Sequence, residues 1–338
     1  MDEFLRLTEN IPLIDVRTPS EFLKGHIAGA INIPLFSDEE RSVVGTIYKK
    51  EGEIEAVLKG LSFVGPKMTH LLERGITLAG ENKKLCVYCW RGGRRSASMA
   101  WLFSQGNIEC SLLSGGYKNY RTCAFEELGK DRNIIVVGGM TGSGKTEILK
   151  EIALMGEQVV DLEGLANHRG SAFGAIGMPP QPTSEHFANL LFDKLRSLDP
   201  EKRTFVEDES LNIGSVFVPE IFYSLIREAP VIAVMCDINT RLPRLLNEYG
   251  KMPHDQLEDS INRIRKRLGG MQADEALGAV RVNNMREAIR IVLNYYDKTY
   301  KYGLAKREQS RVTQLETDSG DAGVNALKVI AEADLMAL

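Results

Sequence analysis

The chain has 338 residues, 43% hydrophobic and 26% charged, with a formal net charge of −4, an ordinary balance for a soluble globular protein of about two domains. No apolar run approaches the roughly 20 residues of a membrane helix, and the first residues do not read as a signal peptide. Five cysteines without regular spacing argue against a disulfide framework, so a cytoplasmic, reducing setting without membrane contact is expected.

Residues 11–17 (IPLIDVR) form a short apolar run entering a turn at Thr18-Pro19, which reads as a strand, and helix signals follow from Ser20. AINIP, ending at Pro34, is a second short strand. Residues 38–80 are helical in character, with turns expected at Gly60 and at Gly65-Pro66. KLCVYC (84–89) is an apolar strand that runs straight into a glycine loop, and Ser96 opens a helix that Gly106 ends. IECSLL then leads through Gly115-Gly116 into another helix. This alternation predicts a parallel α/β domain over residues 1–128.

A junction at Asp131-Arg132-Asn133 precedes IIVV (134–137), which delivers Gly139-Met-Thr-Gly-Ser-Gly-Lys-Thr146 and a helix from Gly144. Further strands are expected at QVVDL (158–162), TFVED (204–208) and PVIAVMCD (230–237). Residues 256–268 place Leu257, Ile261, Ile264 and Leu268 on one helical face, with Gly269-Gly270 ending that helix. The second domain, 129–338, is thus expected to be a P-loop α/β domain with a mostly helical C-terminal third.

Charge is unevenly spread. Residues 241–307 hold 14 basic and eight acidic side chains on a chain that is acidic overall. That excess suits an RNA backbone, and it equally suits solvated helix faces.

Two loops carry the chemistry. Cys89-Trp-Arg-Gly-Gly-Arg-Arg-Ser96 sets a thiol at the C-terminal end of a parallel strand, ahead of glycines and a helix start. Inward-facing N–H groups and the helix dipole favour an anion there, and Arg91, Arg94 and Arg95 add cations, so Cys89 is expected to ionise readily and act as a nucleophile. Cys86, three residues earlier, falls inside the strand and reads as core. The Cys89-to-Arg95 spacing followed by Ser96 also satisfies the tyrosine-phosphatase loop, but Tyr88 stands where such enzymes usually carry His.

The second loop, 139–146, is a complete P-loop in its required strand-to-helix context. The N–H groups of Gly139, Gly142, Ser143 and Gly144 would cradle a diphosphate, Lys145 would reach its terminal phosphate, and the Thr146 hydroxyl would bind Mg²⁺. Glu207, Asp208 and Glu209 end a strand and could complete a metal shell. Residues 161–174 bring Asp161, Glu163, His168 and Arg169 into a glycine-rich loop, a candidate second-substrate loop. A diphosphate cradle does not identify what hangs from the phosphate, a nucleoside or something else.

Asp15-Val-Arg-Thr-Pro-Ser-Glu-Phe and Gly25-His-Ile-Ala-Gly-Ala-Ile-Asn-Ile-Pro34 resemble the rhodanese domain, a sulfur-transfer module, although most rhodaneses have a cysteine-to-arginine spacing one residue shorter. With YCWRGGRRS, GGMTGSGKT, DLEGLANHRGSAFG and EDES following in order, the chain resembles the bacterial tRNA 2-selenouridine synthase family from about residue 11 to about 215. The resemblance implies an N-terminal rhodanese-like parallel-sheet domain followed by a P-loop NTPase-like α/β domain. It implies an enzyme that exchanges sulfur for selenium at the wobble 2-thiouridine of tRNA, the selenium coming from selenophosphate and resting on Cys89 as a selenylated cysteine. It also implies S-geranylation of that thiouridine by geranyl diphosphate, and a role for Gly65 in the selenation half.

The expected partners are a tRNA carrying a 5-substituted 2-thiouridine and the enzyme that supplies selenophosphate. No tightly bound cofactor and no structural metal are expected. The competing readings are a cysteine-dependent phosphatase, or a P-loop kinase or NTPase with a non-catalytic rhodanese module.

Overall fold

The computed structural model describes residues 1–250 and 252–336, which fall into two compact units: Met1–Glu127 with Ala188–Asp193, and Leu128–Phe187 with Lys194–Leu338. In the first, β1 (Leu13–Asp15), β2 (Ile31–Asn32), β3 (Lys84–Tyr88) and β4 (Glu109–Leu112) form a sheet ordered β2-β1-β3-β4, with every pairing parallel. Parallel neighbours need crossovers, and helices supply them. Ile14, Val16, Ile33, Val87, Met99 and Phe103 lie in the core these elements enclose.

The charges in IPLIDVR are buried with the strand. Arg17 and Asp15 form an ion pair at 2.6 Å, each with a side chain no more than 1% exposed. The same guanidinium donates to the Gly25 carbonyl at 2.7 Å and lies 3.8 Å from the centre of the Tyr117 ring. A buried pair holds its place only when its remaining hydrogen-bonding capacity is met, as here.

The turn expected at Gly60 is absent. Gly60 lies inside the helix Glu53–Val64, where a Cβ would stand 3.3 Å from the Phe36 ring, so this glycine makes room for packing. The chain turns at Gly52 instead, whose φ of +126° suits only glycine. Gly65–Lys67 makes one 3₁₀ turn, as Gly65-Pro66 suggested.

In the second unit, β5 (Ile134–Gly139), β6 (Gln158–Val160), β7 (Thr204–Glu207), β10 (Val231–Met235) and β11 (Val312–Glu316) form a parallel sheet ordered β11-β10-β5-β7-β6. The strands β8 (Asn212–Ile213) and β9 (Val216–Phe217) make a separate antiparallel hairpin. All six residues of β5 are buried, which explains its continuous apolar run. The C-terminal ends of β5 and β7 lie side by side, the region of an open α/β sheet where ligands bind.

The C-terminal third is mostly helical as expected, and strand β11 is an addition within it that the sequence does not announce. Val312–Glu316 is an edge strand, none of it fully buried, so its residues alternate without forming an apolar run. Its partner β10 lies some 80 positions earlier in the chain.

Helices Ile238–Tyr249, His254–Leu268, Gly270–Arg281 and Met285–Ala305 pack around a separate core. Leu257, Ile261, Ile264 and Leu268 all face into it, and Gly269, at φ +98°, ends their helix. Among the described residues no helix is long and apolar enough to cross a membrane.

Candidate functional site

Cys89 follows directly on β3 and is 3% exposed. Its loop is held by the next one along the sheet, since the N–H groups of Tyr117 and Lys118 donate to the carbonyls of Cys89 and Trp90, both at 2.9 Å. Those carbonyls are thereby tied to the helix Gly116–Leu128. Gly92, at φ +63°, has no room for a Cβ, which would stand 2.6 Å from the Leu113 carbonyl oxygen.

Burial pushes the Cys89 thiol up, but the Ser96 hydroxyl and the N–H groups of Ser96, Arg91 and Gly93 outweigh it and hold the thiol below its ordinary value. Cys86, inside β3, has no such donors, and burial drives its thiol up to about 11. One cysteine of the pair is prepared for chemistry and the other is core. Ser96 Oγ lies 3.2 Å from Cys89 Sγ and 3.0 Å from the Gly93 carbonyl, two acceptors for one proton. Ionised sulfur is the stronger competitor for it. Ser96→Ala should therefore slow iodoacetamide alkylation of Cys89 at pH 7 by about tenfold, measured as rate against pH, with the rate–pH curve moved to higher pH.

The arginines do not all sit where the spacing suggested. Arg95 forks onto Glu21, at 2.6 and 3.2 Å, and Arg94 pairs with Glu53 on the surface. Arg91 is exposed. The anion is thus favoured by N–H groups and a hydroxyl rather than by direct guanidinium contact. Arg95 is the arginine a phosphatase would turn onto its phosphoryl group, and here it is occupied by a carboxylate.

In the second unit, Gly142 (φ +80°) and Gly144 (φ +85°) shape the P-loop, and a Cβ on either would strike the side chain of Leu245 or of Arg244. Lys145 Nζ donates to the Gly139 carbonyl at 3.2 Å. Burial pulls this ammonium down, yet Glu163, Glu209, Glu207 and Asp208 outweigh it and hold Lys145 above its ordinary value. Thr146 Oγ1 lies 2.9 Å from Glu163 Oε2 and 3.1 Å from Glu207 Oε1, while Glu207 also accepts from the Glu163 N–H at 3.0 Å. The Ser143 hydroxyl is buried without a hydrogen-bond partner among the described residues.

Both loops lie in regions shared with known proteins. Residues 132–320 match the family model described as the tRNA 2-selenouridine synthase AAA domain, and residues 1–123 match the rhodanese-like domain. The curated tRNA 2-selenouridine synthase of Sulfurovum sp. strain NBC37-1 is 36% identical, over 90% of this chain and 91% of its own. Those of Shewanella frigidimarina (35%, over 91% and 92%) and Shewanella sediminis (37%, over 89% of each) are similar to the same extent. The chain belongs to the tRNA 2-selenouridine synthase family.

In this member of the tRNA 2-selenouridine synthase family, Gly65 is exposed, its φ of −47° is ordinary, and a Cβ there meets nothing within 4 Å. Neither strain nor packing demands glycine. Its neighbours Phe63, Val64 and Met68 pack on the core that includes Cys89. Asp161 ends β6 rather than lying in it, and its carboxylate caps the helix Leu162–Ala166 by accepting from the Gly164 N–H at 2.7 Å. Arg169 pairs with Glu248 at 3.0 Å. His168 is buried, which lowers its pKa, and its Nδ1 has no partner among the described residues. Asp208 is engaged by Arg307 at 2.6 Å.

The carboxylates beside Lys145 are short of positive charge. Burial, then Glu163, Asp161 and Glu209, raises Glu207 well above the carboxylate range, and burial followed by Glu163 pushes Glu209 up to about 8, against the pull of Lys145. A carboxyl whose folded pKa is raised keeps its proton longer folded than unfolded, so the stability it lends is full below its unfolded value and lost as pH rises through about 8. The wild-type melting temperature should fall between pH 5 and 8, and Glu209→Gln should flatten that fall, the comparison being made by calorimetry in metal-free buffer.

Sequence reasoning missed two residues that hold the P-loop. Arg241 pairs with Asp297 at 2.7 Å and donates to the Thr141 carbonyl at 3.1 Å, and Arg244 donates to the Gly142 carbonyl at 2.8 Å. Both belong to the basic stretch that begins at residue 241. Their spacing on one helix was the available signal.

Proposed function

We propose that this chain replaces the sulfur of a wobble 2-thiouridine in tRNA with selenium from selenophosphate, through an S-geranylated intermediate. The observation that carries the selenium step is Cys89, a buried thiol held below its ordinary value by converging donors. Its thiolate attacks selenium, making an S–Se bond as the Se–P bond breaks, and the bonding pair leaves with phosphorus as phosphite, which takes up the two electrons that the sulfur gives. Passing selenium to the uridine C2 and recovering the thiolate then takes two electrons, which a low-molecular-weight thiol supplies. The geranylated sulfur leaves C2 as geranylthiol.

The P-loop is the place for geranyl diphosphate. The thiouridine sulfur attacks the first carbon of the geranyl chain, and the C–O bonding pair leaves with diphosphate. Lys145 and the loop N–H groups take up the charge that develops on that leaving group. Thr146, Glu163 and Glu207 form a donor set that fits Mg²⁺, which commonly takes one or two carboxylates and completes its shell with water and phosphate oxygens. Bound there, it would neutralise charge on the diphosphate.

The tRNA backbone is met by exposed cations of the C-terminal helices, among them Arg263, Lys266, Arg267, Lys298 and Lys301. Nucleoside mass spectrometry tests the whole reading. Transfer RNA containing 5-substituted 2-thiouridine, incubated with protein, geranyl diphosphate and selenophosphate, should yield 2-selenouridine. Unchanged thiouridine in every sample would overturn it.

A further inference from the structure

Beside the P-loop, and within the same unit, the C-terminal helices leave a pocket of about 440 Å³, counting the space at its mouth. Thr141 of the P-loop forms part of its wall, and Leu245, the residue a Cβ on Gly142 would strike at 2.7 Å, forms another part. The phosphate cradle and the pocket therefore share a boundary.

The remaining wall is hydrocarbon and aromatic ring, including Tyr249, Ala288, Val292 and Tyr296. The two tyrosine hydroxyls are engaged elsewhere: Tyr249 Oη lies 3.4 Å from Ser171 Oγ, and Tyr296 Oη accepts from the Ala172 N–H at 2.7 Å. A nucleotide base needs polar groups to read its edges, and this wall presents almost none. An apolar chain joined to a diphosphate needs a charged cradle opening onto a dry, uncharged cavity, which is the arrangement found.

We propose that this pocket holds the hydrocarbon tail of a prenyl diphosphate whose head lies in the P-loop, and that Ala288 and Val292 set the tail length it accepts. The assignment rests on reading the P-loop as the geranyl diphosphate site and adds the tail's location and the residues that measure it. Ala288 and Val292 stand one turn apart on the helix Met285–Ala305, and both are buried at the pocket wall. A larger side chain at either fills space that no main-chain hydrogen bond depends on.

Calorimetric titration of the full chain in Mg²⁺ buffer with inorganic pyrophosphate, five-carbon dimethylallyl diphosphate and ten-carbon geranyl diphosphate tests this. Wild type should bind geranyl diphosphate on the order of 100-fold more tightly than pyrophosphate, because the tail leaves water. Ala288→Phe and Val292→Phe should each lose at least about tenfold for geranyl diphosphate while binding pyrophosphate as wild type does, which also shows an intact fold. If both variants keep wild-type affinity for geranyl diphosphate, the tail lies elsewhere and the pocket assignment falls, with the P-loop reading untouched. If wild type binds pyrophosphate but not geranyl diphosphate, the P-loop reading itself falls and takes this assignment with it. Should the filled variants lose pyrophosphate as well, Ile289→Ala decides. Enlarging the pocket should favour fifteen-carbon farnesyl over geranyl diphosphate at least about threefold relative to wild type, and an unchanged ratio overturns the proposal.

Discussion

Cys89→Ala should abolish 2-selenouridine formation, by at least about 10³-fold, while S-geranyl-2-thiouridine accumulates in the tRNA. The size of the loss follows from what the loop is built around. Ser96 and three N–H groups converge on one sulfur, and without that sulfur they have no nucleophile to prepare. The substitution removes one atom from a site 3% exposed and leaves the Cys89 and Trp90 carbonyls tied to the following helix, so the fold should survive. Accumulation of the geranylated nucleoside is the informative half of the result, because it shows the other half-reaction running. Selenation within tenfold of wild type would remove Cys89 from the reaction. Liquid chromatography with mass spectrometry of digested tRNA reads both products from one sample.

Lys145→Ala should produce the opposite pattern, with neither geranylated nor selenated nucleoside and thiouridine left unchanged. Lys145 is the ammonium that Glu163, Glu207, Glu209 and Asp208 surround, and it starts the helix that the P-loop enters. Losing it removes charge-assisted bonds to the diphosphate and leaves those carboxylates to repel an anionic ligand. Affinity for pyrophosphate, measured by calorimetry, should fall by about 100-fold. The variant should still take up selenium on Cys89 when selenophosphate is given alone. Retained geranylation in Lys145→Ala would detach the P-loop from the prenyl step.

Much of the fold is legible in the sequence because the strands β1, β3, β5 and β10 are short, apolar and bounded by turn residues, and the two loops have fixed spacings. What is not legible depends on contacts between distant positions. Glu21 and Arg95 are 74 residues apart, so nothing in the Cys-x5-Arg spacing shows that the guanidinium is already claimed by a carboxylate. Arg244 reaches Gly142 across 102 residues. Gly60 reads as a turn because glycine usually marks one, but tertiary packing against Phe36 wins. β11 escapes sequence reasoning because an edge strand half open to solvent carries a weak pattern, and the pocket does so because its wall comes from a P-loop and several helices at once.

The selenium step turns on whether Cys89 itself takes up selenium. Full-length protein incubated with selenophosphate and no tRNA, then digested under non-reducing conditions, can be examined by peptide mass spectrometry. The predicted result is a Cys89 peptide heavier by one selenium atom, returning to its original mass on treatment with a thiol. A Cys89 peptide that stays unmodified, from protein that converts tRNA to 2-selenouridine in a parallel sample, would contradict it.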